Sequence, residues 1–159
     1  MASTITAATL TVTHTESISL NGSAQGATNS FTVASVNEIS KRIVTITTTE
    51  AEILKFHTSE IDAGRYITGD VRYMRFTNKD DTNFITLTFR NQDNDEVAIK
   101  LDAGQSFVWC GDNSTGMEDV FNATQDADAA SDTAFGSLTN IQADANPGSC
   151  DLEMFVASV

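Results

Sequence analysis

The stretch TNKDDTNFITLTFRNQDNDEVAIKLDAGQSFVW, Thr77–Trp109, decides the fold class. Within it Ile85, Leu87 and Phe89 alternate with Thr86, Thr88 and Arg90, and Val97, Ile99 and Leu101 repeat the pattern after the polar segment Asn91–Asp95. Successive side chains of a strand point to opposite faces, so each run reads as a half-buried strand whose apolar face, around Leu87, Phe89, Ile99 and Leu101, belongs to a core. Lys79–Asn83 and Asp102–Gly104 supply turn residues, and Phe107–Cys110 begins another strand. With Val71–Thr77 upstream, the spacing predicts a hairpin from Val71 to Arg90 and three connected antiparallel strands from Phe84 onward.

The same rhythm extends outward. Leu10 and Val12 alternate with threonines, and Ile18 and Leu20 lead into Asn21-Gly22, a pair that tolerates positive φ and so favours a tight turn. Phe31–Val36 and Ile43–Thr47 continue the pattern, with Ile43, Thr45 and Thr47 on one face and Val44 and Ile46 on the other. Thr49–Phe56 is ambiguous between a helical turn and a short strand, because a threonine followed by Glu50 and Glu52 resembles a helix start. Gly111–Ser137 is rich in Asp, Asn, Ser, Ala and Gly, which predicts a long acidic surface loop or a short helix around Ala123–Ala134. Strands resume at Leu138, Ile141 and Ala143, and after Asn146-Pro147-Gly148 a closing strand alternates Leu152, Met154 and Val156 with Asp151, Glu153 and Phe155. Seven to nine strands at this spacing predict an all-β sandwich or barrel, a single domain over residues 1–159.

Composition narrows the function classes. The 159 residues carry 22 Asp plus Glu against nine Lys plus Arg, a formal charge of -13, which disfavours binding to nucleic acid or an anionic membrane surface. No apolar run approaches the roughly 20 residues of a spanning helix, and the first residues have no basic n-region, so neither a membrane span nor a signal peptide is expected. His14 and His57 sit in no nucleophile, metal or phosphate motif, and an enzyme is not expected. Asp112–Asp119 and Asp126–Asp132 concentrate carboxylates, but neither run has the ligand and glycine spacing of a calcium loop, so no metal or other cofactor is expected. Cys110 and Cys150 are expected as free buried thiols; a bridge between them is the alternative and requires their segments to be neighbours.

Charge distribution is more informative than total charge. All nine basic residues lie between Lys41 and Lys100, whereas Asp102–Val159 holds ten carboxylates and no Lys or Arg. Arg65, Arg72, Arg75 and Arg90 are therefore candidate interface residues that would meet the acidic half of a neighbouring copy; the alternative is cross-strand pairing within one subunit. Tyr66, Tyr73 and Trp109 are candidates for stacking on sugar rings, or for core and interface packing.

Thr77–Trp109, together with CDLEMFVASV at Cys150–Val159, resembles small all-β virion proteins of tailed bacteriophages, most of all capsid decoration (cement) proteins. The resemblance covers about a third of the chain and carries no catalytic signature. It implies a jelly roll or related antiparallel sandwich, a homotrimer, the major capsid protein as partner, no cofactor, synthesis in the host cytoplasm and a place on the outer capsid surface. Two other roles compete with it: a carbohydrate-binding or host-adhesion module on the virion, and a tail-tube or head-completion subunit that builds rings.

Overall fold

A computed structural model describes residues 5–59, 64–118 and 137–159. Its strands are β1 (Ala8–Thr15), β2 (Ser19–Leu20), β3 (Ser23–Ala24), β4 (Thr28–Val36), β5 (Glu38–Ile46), β6 (Ala51–His57), β7 (Arg65–Ile67), β8 (Val71–Asn78), β9 (Phe84–Asn91), β10 (Glu96–Leu101), β11 (Ser106–Cys110), β12 (Leu138–Asn146) and β13 (Cys150–Ser158). A single 3-10 turn, Thr68–Asp70, joins β7 to β8. Thr49–Phe56, ambiguous in the sequence, is resolved as strand β6. The expected helix around Ala123–Ala134 lies outside the described residues.

Two sheets form the body. The first has the order β5-β13-β8-β11 and the second β7-β6-β12-β9-β10, every neighbouring pair being antiparallel except β6 with β7. The connections β5 to β6, β8 to β9, β10 to β11 and β12 to β13 each pass from one sheet to the other, and the four resulting corners lie side by side. This winding is a jelly roll, with β7 added at one edge.

The topology corrects the hairpin expected from Val71 to Arg90. β8 and β9 do not pair; they belong to opposite sheets, and Lys79–Asn83 spans the gap between them. Both strands carry an apolar inner row, Met74 and Phe76 on one and Ile85, Leu87 and Phe89 on the other, and facing these rows across a sandwich removes both from water. Phe76 and Phe89 meet edge-on with ring centroids 6.4 Å apart. Asn78 secures the corner: its buried side-chain amide donates to the Asn83 and Leu101 carbonyls, and its Oδ1 accepts from the Asp80 N–H. Of the three strands expected in one meander, β9 and β10 are a true hairpin, with Ile99 opposite Leu87, while β11 crosses over to pair with β8.

The inner layer follows the sequence pattern closely. Leu87, Phe89, Leu101, Leu152, Met154 and Val156 are buried in the main core, and Ile99 packs half-buried against it because β10 is an edge strand. Val44 and Ile46 point inward from β5, leaving Ile43 outside, as the alternation predicts.

Candidate interaction surface

Residues 5–36 join neither of the two sheets. β1 pairs with β4, and beyond them Glu16 N–H bonds to the Ala27 carbonyl and β2 pairs with β3, so residues 8–36 make one long two-stranded ribbon. Its tip is Asn21-Gly22, with φ of 52° and 79°. Two positive φ values in a two-residue loop define the turn whose twist matches a β ribbon, and glycine adopts that conformation without steric cost.

The root of the ribbon lies across the outer face of the first sheet. Val33 and Val36, with Leu10 and Val12, pack on Tyr73 of β8, Val108 of β11, and Phe155 and Ala157 of β13. This second, smaller core explains why the closing strand carries Phe155 and Ala157 on the face opposite Leu152, Met154 and Val156. A bulge between Ala8 and Leu10, opposite Ser35 with its φ of 61°, bends the ribbon where it meets the sheet. An aromatic row His14, Phe31, Tyr73 and Phe155 runs from ribbon to sheet with centroid spacings of 6.0, 6.3 and 5.9 Å. Burial pushes the Tyr73 hydroxyl above its ordinary pKa.

Past the root the ribbon is bare. Every residue from Thr13 to Thr32 is exposed, including Ile18 at 58% and Leu20 at 61%. On the body, the edge strand β5 exposes Ile39 at 57% and Ile43 at 58%, with Lys41 between them on the same face. In register these three oppose Ala157, Glu153 and Phe155, so the apolar strip borders the ribbon's own footing.

The four candidate arginines do not form one patch. Arg75 on β8 donates to Glu153 at 2.6 Å and to Thr77, and Lys41 reaches the same carboxylate at 3.4 Å. The Arg75 guanidinium, helped by Lys41, holds the Glu153 carboxyl below the usual carboxylate range. Arg90 pairs with Glu96, its direct cross-strand neighbour on β10. Arg72 donates to the Gly69 and Ser114 carbonyls, clamping the loop after β11 onto the turn before β8. Arg65, at the start of β7, lines a cleft with Glu38 and Asp70. Arg75 and Arg90 thus each pair with a carboxylate of their own chain.

The remaining candidates are also accounted for inside the fold. Asp112 Oδ1 accepts from the backbone N–H and side-chain hydroxyl of both Ser114 and Thr115, which closes the loop and draws its carboxyl pKa far down. Among the described residues no three His, Cys, Asp or Glu side chains gather as metal ligands, and no helix is long and apolar enough to cross a membrane. Trp109 packs edge-on to Phe89 at 4.9 Å, and Tyr66 tilts against Phe56. Cys150 is buried, but Cys110 is exposed rather than buried because β11 is an edge strand; both are free, and desolvation raises both thiol pKa values. No family model matches this chain, and no curated protein is significantly similar to it.

The ribbon tip and the β5 strip escaped the sequence reading. Asn21-Gly22 between alternating runs does signal a hairpin, and alternation sets Ile43 on the face opposite Val44, but nothing local says that neither is covered.

Proposed function

We propose that this chain is a non-enzymatic structural protein of a bacteriophage virion, a capsid decoration protein that self-associates as a homotrimer and seats on the major capsid protein at the outer shell surface. The observation that carries the reading is the bare ribbon. An isolated two-stranded hairpin is marginal in water, so twenty consecutive exposed residues, Thr13–Thr32, with Ile18 and Leu20 near the tip, are suited to a partner surface rather than to solvent. The jelly-roll body is compatible with this role, since such sandwiches build capsid as well as lectin domains. The side chains best suited to chemistry serve the fold: Asp112 closes a loop, and Arg75 and Glu153 pair with each other.

A sugar-binding role has weaker support. Tyr73 is buried beneath the ribbon, and Trp109 and Tyr66 pack against other rings, so none offers a flat open face to a pyranose.

The test is cosedimentation of the purified chain with expanded shells, stripped of decoration protein, from the phage that encodes it, followed by cryo-electron microscopy. Stoichiometric added density on the outer surface is expected. Shells that sediment without the chain would overturn the reading.

A further inference from the structure

We infer that the ribbon tip of one copy docks on the β5 strip of the next, the apolar Ile18 and Leu20 packing on the strip that Ile39 and Ile43 form, with Glu16 opposite in charge to its Lys41. The inference deepens the self-association part of the reading above and is independent of the virion.

Three observations support a second copy as the occupant. The first is charge. Residues 1–37 contain Glu16 as their single charged side chain, whereas the rest of the chain carries the other 21 acids and all nine bases, a net of -12. A nearly neutral arm is the part of such a molecule that approaches another copy without repulsion. The second is complementarity in sign and kind. Glu16 precedes Ile18 and Leu20 on the outgoing arm of the ribbon, and β5 carries Lys41 between Ile39 and Ile43, so each surface offers one charge, opposite in sign to the other's, beside two exposed branched apolar side chains. Lys41 is the exposed base on that strip, its side chain 58% accessible although it touches Glu153. The third is reach. From Thr13 to the Asn21 turn the ribbon extends about 25 Å at the usual rise per strand residue, enough to leave its own body and meet a neighbour.

Tip and strip are different surfaces of the same molecule, so the contact is head-to-tail. Repeated with a rotation that closes, it makes a ring in which every tip and every strip is covered. Among the described residues β5 is also a sheet edge with no strand paired to its outer side, the sort of edge that soluble proteins cover.

The experiment is sedimentation equilibrium of the full chain, compared with a tip variant, Ile18→Glu with Leu20→Glu, and a strip variant, Ile39→Glu with Ile43→Glu. All four side chains are exposed, and circular dichroism checks that each variant folds. Wild type is expected as a closed oligomer and each variant as a monomer. An equimolar mixture of the two variants is expected to form a dimer and stop there, because the strip variant lends its tip and the tip variant lends its strip. Glu16→Lys is expected to weaken assembly about tenfold at low salt, with the loss shrinking as salt rises. A monomeric wild type, a tip variant that keeps the wild-type mass, or a strip variant that still assembles would overturn the inference. None of these results bears on whether the chain binds a capsid shell, which the cosedimentation test decides separately.

Discussion

The crossing of β8 and β9 between sheets can be tested by a double-mutant cycle on Phe76 and Phe89. Both rings are buried, and their centroids are 6.4 Å apart across the sandwich. Phe89 also meets Phe107 at 5.6 Å and Trp109 at 4.9 Å. Phe→Leu keeps the apolar character and removes the ring, so each lost aromatic pair costs about 0.5–1.5 kcal/mol. Phe76→Leu forfeits one such pair and Phe89→Leu three, which puts the second substitution at about 1.5–4.5 kcal/mol, above the first. The coupling energy between the two sites should be about 0.5–1.5 kcal/mol. Urea unfolding followed by far-ultraviolet circular dichroism measures all four corners without relying on Trp109, which Phe89 itself touches. In a direct β8–β9 hairpin turning at Lys79–Asn83, Phe76 would sit opposite the start of β9 and far from Phe89. Additivity within about 0.3 kcal/mol would therefore refute the jelly-roll corner.

Other outcomes follow from single contacts. Asn78→Ala strands the buried Asn83 and Leu101 carbonyls and should cost about 1–3 kcal/mol in urea unfolding, whereas a cost under about 0.5 kcal/mol would mean the corner is held otherwise. Arg75→Ala should cost no more than about 1 kcal/mol at neutral pH, since its pair with Glu153 is partly solvated. The Glu153 carboxyl has a lowered folded pKa, so its contribution is present above its unfolded value near 4.3 and fades as pH falls through the folded one; Arg75→Ala should flatten that acid limb, and an unchanged limb would count against the pairing. Gly22→Val puts a β-branched residue at a φ of 79° and should raise amide exchange across residues 13–32 while the exchange of β9, β12 and β13 stays the same. Slowed or unaltered exchange in the ribbon would show that the turn is not what holds it.

Period-two alternation determined the strands and their inner faces. Ile85, Leu87, Phe89, Leu152, Met154 and Val156 were all legible as core because a strand repeats every second residue whatever it pairs with. Pairing was not legible in the same way. A polar segment of five residues closes a hairpin or spans two sheets equally well, and only the rows it connects decide; with Met74 and Phe76 facing Phe89 across the core, crossing buries both. Arg90 and Glu96 were brought opposite each other by the β9–β10 register, but Arg75 found Glu153 from a strand 78 residues away, which no local pattern encodes. The outer face of the first sheet is the same kind of case. Phe155 and Ala157 read as the solvent side of the last strand until the ribbon root is laid over them, and Ile18, Leu20, Ile39 and Ile43 read as ordinary strand residues until the fold leaves them uncovered. Sequence thus determined which residues alternate and where the chain turns, because those depend on neighbours a few positions apart; tertiary structure alone decided which faces are covered, because burial depends on segments that are distant along the chain and adjacent in space.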